Sequence, residues 1–191
     1  MSSRYFNGHR DTPDPLEPYL PETEPLEFDG AEQFTINVAK VGVGDFTFPA
    51  HQCMYEFWLA NRDGDDLPSF RCIDPLAFWP AVGYVHVIQP NDDFSDFRYR
   101  LFGSKVSEIG GLDMTGKWFS ESPVASWQFY RRQLAACARL RTPIYSENNA
   151  AYQVSTLIKW CRLLLPMKDE AGRVNRILVP NVPVDRTSNP E

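Results

Sequence analysis

The segment from Phe97 to Glu121 constrains the fold of this chain more than any other stretch of its sequence. Phe97, Tyr99 and Leu101 alternate with their neighbours, which is the period of a half-buried β-strand. Gly103 then ends this strand. The segment therefore predicts a strand that leads at once into a second element.

A short helix and a tight turn follow this strand. Ser104 can cap the helix, and Gly110-Gly111 ends it because glycine tolerates a positive φ. Thr115-Gly116 then forms a turn that delivers Trp118 and Phe119. We interpret the whole segment as a pocket rim, with a short helix over the end of a strand and aromatic side chains turned inward.

Patterns elsewhere in the chain complete one α+β domain. The predicted strands span residues 84–88, 97–102, 144–147, 157–165 and 176–179, and the predicted helices begin at Pro49, Asp74-Pro75, Ser104 and Pro123, the last ending near Leu140. The helices from Ser104 and Pro123 lie between the second and third strands. This order predicts a five-stranded antiparallel sheet with helices on one face, plus an N-terminal helical extension.

Short motifs along the chain occur in a characteristic order. They are Phe97–Leu101, Gly103 and Gly111–Gly116, with Phe57-Trp58, Leu67-Pro68 and Ile73–Leu76 upstream and Trp160–Leu165, Pro166-Met167 and Asp169–Val174 downstream. In this order the chain resembles the PAS sensor-domain family, in particular its short, free-standing bacterial branch. The resemblance covers most of the chain, from Met54 to Asp185. It implies a PAS-like fold and a sensor or interaction function rather than catalysis.

The N-terminal region differs in composition from the rest of the chain. Residues 1–30 are acidic and rich in proline, which predicts a disordered or extended lead. Residues 31–62 are expected to form an extension, with a strand from Phe34 to Val43 whose candidate partner is Asp45–Phe48. The PAS-like domain is expected to span residues 63–185, followed by a tail of residues 186–191.

The extension also contains the helix predicted from Pro49, and this helix has two interpretations. Cys53, Phe57 and Ala60 recur at helical spacing and form an apolar stripe. A helix in this place is a common dimerisation element in PAS proteins, so the resemblance implies a homodimer formed through residues 54–59. The alternative is that the helix covers the chain's own sheet, and the two interpretations do not exclude each other.

Charge and cysteine content narrow the expected partners and compartment. The net charge of −6 argues against nucleic acid, because phosphate binding requires a basic surface. No apolar run approaches the length of a membrane span, and no secretory signal is recognised. The four cysteines are far apart and lack metal-ligand spacing. We therefore expect a cytoplasmic protein with reduced thiols and no metal.

The sequence lacks the residues that hold the cofactors of the best-known PAS proteins. The resemblance places an axial haem histidine ahead of the third strand, but no histidine lies between Gly103 and Pro143. The asparagine-cysteine-arginine-phenylalanine motif of flavin photosensors is absent. Turn chemistry accounts for the acidic residues Asp92, Asp93 and Asp96. We expect neither haem nor flavin, and no enzymatic activity.

Aromatic side chains from several elements carry the hypothesis of a binding site. Ligand pockets are mostly apolar with a few placed polar groups, and Trp and Tyr offer both. The predicted ligand-binding residues are Trp118, Trp127, Tyr130, Trp160 and Arg162. Arg162 shares a strand face with Trp160, but the opposite face is apolar too. Periodicity therefore leaves open whether Arg162 points inward, as an anchor for an anionic or carbonyl group, or outward.

These observations favour a PAS-like sensor or adaptor that binds an unknown small molecule or a signalling protein. It would act in trans, since no kinase, cyclase or helix-turn-helix segment is recognised. One alternative is a pure interaction or dimerisation module with a filled core. Another is a small α+β enzyme with a cavity, which would need a buried carboxylate or histidine in that cavity.

Overall fold

The computed structural model describes residues 33–37, 42–122, 127–149 and 157–185. An antiparallel sheet of six strands forms its centre, in the order β1-β4-β5-β6-β2-β3. The strands are β1 Gln33–Asn37, β2 Val85–Pro90, β3 Phe97–Leu101, β4 Ile144–Asn149, β5 Leu157–Lys168 and β6 Val174–Asp185. The last five are the five predicted strands, so the predicted α+β fold with an antiparallel PAS-like sheet is confirmed.

Three α-helices and four short 3₁₀ segments accompany the sheet in the described part of the chain. The helices are α1 Pro49–Ala60, α2 Ser104–Gly110 and α3 Trp127–Leu140, and the 3₁₀ segments are Val43–Asp45, Phe70–Cys72, Pro75–Ala81 and Phe119–Glu121. Pro49 is the first residue of α1, where a missing N–H costs nothing. Asp74 caps the segment after it by accepting a hydrogen bond from the Leu76 amide at 3.0 Å. The predicted lead of residues 1–30 and tail of residues 186–191 lie outside the described residues.

The N-terminal strand β1 pairs with a different partner from the predicted one. It runs antiparallel to β4, with Gln33 opposite Asn148 and Asn37 opposite Ile144. The predicted partner, Asp45–Phe48, instead follows a 3₁₀ turn and leads into α1. The prediction was wrong because it used the nearest strand-like segment, whereas β4 offered an unpaired sheet edge to which β1 adds.

The β5–β6 hairpin is longer than predicted, because its prolines do not end the strands. β5 continues through Pro166 to Lys168, and β6 continues past Pro180 and Pro183. The pairing of β4 with β5 reaches only to Ile144 opposite Leu164, so Pro166 lies beyond the end of that neighbour. A proline lacks the N–H that a ladder needs, and it fits best where a strand has no neighbour on one side.

Helices cover both faces of the sheet. On one face α1 packs over β5 and β6, and the Trp58 indole Nε1–H donates to the Pro166 carbonyl at 2.8 Å. On the other face α3 lies over β5 and β6, where Cys137 Sγ lies 3.7 Å from the Leu164 carbonyl oxygen. α1 therefore covers the chain's own sheet, which is one of the two interpretations of the N-terminal helix.

The end of β3 departs from simple alternation. Phe97 and Tyr99 are buried as predicted, but Leu101 is exposed because the β2–β3 pairing shifts register after Val87. Ser104 is the first residue of α2 rather than its cap, and the capping position is held by Gly103 without a side-chain hydrogen bond. The helix ends as predicted at Gly111, whose φ of 65° is left-handed.

Candidate functional site

A row of buried polar side chains crosses the sheet face that α3 covers. The row consists of Ser146 on β4, Arg162 on β5, Asn181 on β6 and His86 on β2, and we call it the polar row. Arg162 stands opposite Ser146 on one side and opposite Asn181 on the other. Side chains opposite each other in an antiparallel pair point to the same face. Strand register thus brings four distant polar residues together inside the protein.

Arg162 carries a positive charge inside this core, and its exposed fraction is only 9%. Its guanidinium lies over the Tyr130 ring, 4.6 Å from the ring centroid, and Nη1 donates to Asn148 Oδ1. Its Nε is buried and has no hydrogen-bond partner among the described residues. Burial lowers the pKa of the guanidinium below its usual value. The group that would ordinarily balance such a charge, a carboxylate, does not contact it in the described structure.

The nearest acidic residue along β4, Glu147, belongs to the other face of the sheet. Glu147 stands opposite Cys161, and it accepts a hydrogen bond from the Tyr145 hydroxyl at 3.1 Å. Its Oε2 also lies 3.7 Å from Lys159 Nζ. Because neighbours on a strand point to opposite faces, Glu147 has its own partners beneath α1 and does not face Arg162.

His86 is the second ionisable group of the polar row. The amide of Gly103 donates to His86 Nδ1 at 3.1 Å, and the Asn181 side-chain amide lies 3.3 Å from Nε2. Burial, with a smaller contribution from the charge of Arg162, lowers the pKa of His86 to about 3. The imidazole is therefore neutral at pH 7. Because Nδ1 accepts, the proton of the neutral ring lies on Nε2, and a hydrogen bond from Nε2 to Asn181 requires the amide oxygen of Asn181 as the acceptor.

Aromatic rings lie beside the polar row and form one connected cluster. Its members, which we call the aromatic cluster, are Phe97, Tyr99, Phe102, Phe119 and Tyr130. Tyr99 and Phe119 stack with ring centroids 4.5 Å apart, and Phe119 lies 5.2 Å from Tyr130. The Tyr130 hydroxyl is buried and has no hydrogen-bond partner among the described residues, and burial raises its pKa. The Tyr130 hydroxyl is therefore an unpaired donor on a side chain that contacts both the aromatic cluster and Arg162 of the polar row.

The structure brings some of the five predicted ligand-binding residues together. Tyr130 and Arg162 are in contact on the inward face, so Arg162 points inward. Trp160 is half-buried on the same face of β5, opposite Asn148. Trp127 begins α3, but its side chain lies outside the described residues.

Trp118 differs from its prediction. It bridges to Arg98 at the outer edge of β3, and the Arg98 guanidinium lies 5.9 Å from its ring centroid. The turn predicted to deliver aromatics inward delivers Phe119 to the core and leaves Trp118 half-exposed. The physical reason is the 3₁₀ segment that starts at Phe119, because successive residues at its start point in different directions.

Several members of the site were not singled out from the sequence. His86 and Asn181 are separated by 95 residues and meet only because β2 and β6 are neighbours in the sheet. One signal was available, since each is a polar residue flanked by apolar residues in a strand. Such an interruption indicates a buried polar group whose partner lies on another strand.

An open groove of about 390 Å³ lies elsewhere, beside the turn of the β5–β6 hairpin. Its charged residues already have partners, because Lys168 pairs with Asp66 at 2.7 Å and Arg71 pairs with Glu170 at 2.6 Å. Within the described ranges, no group of three or more His, Cys, Asp or Glu side chains could hold a metal ion. The same ranges contain no helix that is long and apolar enough to cross a membrane.

Comparison with known proteins assigns the fold to a family. Residues 46–179 match the family model described as PAS domain, and this match covers more than half of the chain. The chain therefore belongs to the PAS domain family, whose members are in general sensory or interaction modules. The match begins within the predicted N-terminal extension and so includes α1.

A search of the curated proteins and a search of the solved structures each gave no match.

Proposed function

We propose that this protein is a PAS sensor that binds a small molecule between the sheet and α3 and passes the binding event to a partner protein in the cytoplasm. The observation that supports the proposal is the polar row, with a buried guanidinium next to the aromatic cluster. A core that only had to be stable would be apolar here, since a buried charge has a large desolvation cost. Polar groups beside apolar walls are typical of ligand sites.

The proposal involves binding rather than a reaction. His86 is neutral and hydrogen-bonded on one side by a main-chain amide, and no described carboxylate lies beside it to complete a catalytic pair. A ligand would act by having different affinities for two conformations of the domain. Haem and flavin are not part of the proposal.

A thermal-shift screen of the purified protein against a library of neutral and charged metabolites tests this function. A ligand at a hundredfold excess over its Kd raises Tm by roughly 5–10 °C for a domain of this size. Ligands identified in this way should lose their effect in Tyr130→Leu but keep it in Trp79→Leu, which alters an exposed side chain. If no compound moves the Tm of the wild-type protein, the sensor function is refuted.

A second candidate function, a protein-interaction module, is supported by one surface feature. Leu76 and Trp79 in the 3₁₀ segment after Asp74 are 77% and 71% exposed, beside α1. Large apolar side chains exposed together are typical of contact surfaces. The homodimer was predicted through residues 54–59, but Met54, Tyr55, Phe57 and Trp58 are buried in their own chain. We propose that a homodimer would instead use the surface of Leu76 and Trp79.

Light scattering at several concentrations tests the interaction module. A dimer in the wild type that is lost in Leu76→Ser and Trp79→Ser would support the interaction module. A wild type that is monomeric at all concentrations would rule out the homodimer. Arg71→Ser, a change at an exposed residue, is the matched control and should leave the mass unchanged.

A further inference from the structure

We propose that Arg162 and Tyr130 together form an anion-binding site, and that the ligand of this PAS domain is a small carboxylate with an apolar body. This inference rests on the proposed function and names the chemical class of its ligand. It is carried by two buried donors with no acceptor among the described residues, the Nε of Arg162 and the hydroxyl of Tyr130, whose side chains are in contact.

The first step of the argument is charge. A buried guanidinium is ordinarily paired, because an isolated buried charge is far more costly than a neutral polar group. The described acceptor of Arg162 is the neutral amide oxygen of Asn148. The other described polar side chains around it are neutral too, namely Ser146, Asn181, His86 and Tyr99. The site thus has one positive charge that a single negative charge from outside would balance.

The second step is geometry. A guanidinium presents its donors in a planar fork that matches the two oxygens of a carboxylate. Contact with the Tyr130 ring, at 4.6 Å, holds the guanidinium in place, and Nη1 is already engaged by Asn148. Nε is the remaining unpaired donor that is fully buried. The Tyr130 hydroxyl supplies another donor on the ring that contacts this group. Because burial raises the Tyr130 pKa, this hydroxyl keeps its proton at every physiological pH.

The third step is the neighbourhood, which selects among anions. The rings of Phe119 and Tyr99 continue from Tyr130, and Phe102 continues from Tyr99. These rings match an aliphatic or aromatic body, whereas a phosphate would meet apolar surface with only one cation to balance it. An organic carboxylate therefore fits the described surroundings better than an inorganic oxyanion.

Thermal unfolding with defined probes tests the inference. The probes are sodium acetate, sodium benzoate and sodium phenylacetate, each compared with sodium chloride at the same ionic strength and with benzamide or phenylacetamide as the neutral analogue. We expect a carboxylate to raise the wild-type Tm by about 5 °C or more at saturation, with at least a tenfold weaker effect of its amide.

Two arginine variants make the test specific. Arg162→Met keeps much of the length of the side chain but removes its charge. In this variant a carboxylate and its amide should raise Tm equally. Arg176→Met is the matched control, because Arg176 also lies over a ring, 4.8 Å from the centroid of Phe70, and also has an unpaired Nε. It should respond to carboxylates as the wild type does. An equal response of all three proteins, or a response to no carboxylate, would overturn the inference.

A direct measurement on the wild-type chain covers the case in which Arg162→Met does not fold. In a ¹H–¹⁵N spectrum of the arginine Nε groups, titration with benzoate should shift one resonance strongly and leave that of Arg176 in place. Tyr130→Phe removes the second donor and keeps the ring, so it should weaken the binding of benzoate at least fivefold. If no Nε resonance moves, the inference is wrong.

The same experiments separate this inference from the function on which it depends. If benzamide and phenylacetamide stabilise the protein as well as the acids do, a ligand site is present but it is not an anion site. In that case the sensor function stands and the carboxylate inference fails. If no compound from any source raises Tm, both fail together.

Discussion

Gly103 occupies a position at which the backbone leaves no room for a side chain. A methyl group added there would lie 2.5 Å from the carbonyl oxygen of Gly83 and 3.0 Å from the carbonyl carbon of Tyr84. The same Gly83 oxygen accepts a hydrogen bond from the Lys105 amide at 2.9 Å, so it is fixed by α2. The amide of Gly103, in turn, orients the ring of His86. This glycine thus connects the start of α2 to the polar row.

Gly103→Ala should destabilise the domain by roughly 1–3 kcal/mol, because backbone atoms must move to admit the methyl group. The free energy of unfolding in urea measures the effect. Gly110→Ala is the matched control in the same helix, since a Cβ there meets nothing within 4 Å. It should be neutral, or stabilising by up to about 1 kcal/mol. Equal effects of the two changes would show that the close approach to Gly83 does not matter.

The direction of Arg162 is a residue-scale question that the sequence could not answer. Both faces of β5 carry apolar residues, with Leu164 on one and Leu163 and Leu165 on the other, and helices cover both faces. Hydrophobic periodicity distinguishes inside from outside only when one face meets water. Trp118 and Phe119 show a related limit, because the turn before them was recognised but the rotation of the chain within the turn was not.

At the scale of elements, a buried polar contact helps to hold α1 to the sheet, in addition to its apolar residues. The indole N–H of Trp58 reaches the Pro166 carbonyl, and this carbonyl lies past the end of β4. The contact joins residues 108 apart in sequence. It places the N-terminal helix at one defined position along β5.

Trp58→Phe should lower the free energy of unfolding by about 1–3 kcal/mol, because the Pro166 carbonyl would lose its donor while remaining buried. Urea denaturation followed by circular dichroism is the appropriate measurement. Trp79→Phe makes the same chemical change at a residue that is 71% exposed, and it should stay within about 0.5 kcal/mol of the wild type. A loss in Trp58→Phe no larger than in this control would contradict the proposed contact.

The elements themselves were largely predictable, whereas their ends were not. Local signals such as Pro49 at a helix start and Asp74 as a cap act within a few residues, so the sequence reveals them. Pro166 and Pro180 were misleading, because a proline is tolerated in a strand when the neighbouring strand has ended or needs no donor at that point. Which strands are neighbours is a property of the whole sheet, and it determined the true strand lengths.

At the scale of the whole molecule, two buried histidines link stability to pH. His51 belongs to α1 and packs against the Tyr145 ring, with centroids 5.6 Å apart, and burial lowers its pKa from 6.5 to about 4. His86 lies on the other face, with its pKa lowered to about 3. Below pH 6.5 the unfolded chain takes up protons that the folded chain does not. The folded state therefore loses stability as pH falls from 6.5 toward these values, and is unaffected above that range.

Between pH 7.5 and pH 5 the free energy of unfolding should fall by on the order of 2 kcal/mol for each histidine. Asp66, whose pKa is lowered by hydrogen bonds from Lys168, the Leu67 amide and Arg141, loses its contribution only below pH 3.8, outside this window. His86→Gln should remove about half of the pH dependence. Urea titrations at pH 7.5, 6.5 and 5 provide the measurement, and a flat profile for the wild type would show that the histidines are not buried in the neutral form.

The candidate site is the part of the whole molecule that the sequence specified least. Tyr130 and Arg162 were predicted from residue type and placement, and they do meet. Asn148, Asn181 and His86 join them through pairings between β4, β5, β6 and β2 that no local pattern encodes. Residue type indicated that polar and aromatic side chains could bind a ligand. Only the pairing of the strands determined which of these side chains would lie next to each other.

The central position of β6 in the sheet has a consequence for the order in which the protein can fold during its synthesis. β6 is the last described strand, yet it lies between β5 and β2 and contacts α1. A chain growing from the ribosome has made α1 and the β2–β3 hairpin long before residues 174–185 emerge. Until then the hairpin lacks its neighbour in the sheet, and α1 can cover β5 but not β6. β6 must therefore be made before the β2–β3 hairpin can join the rest of the sheet.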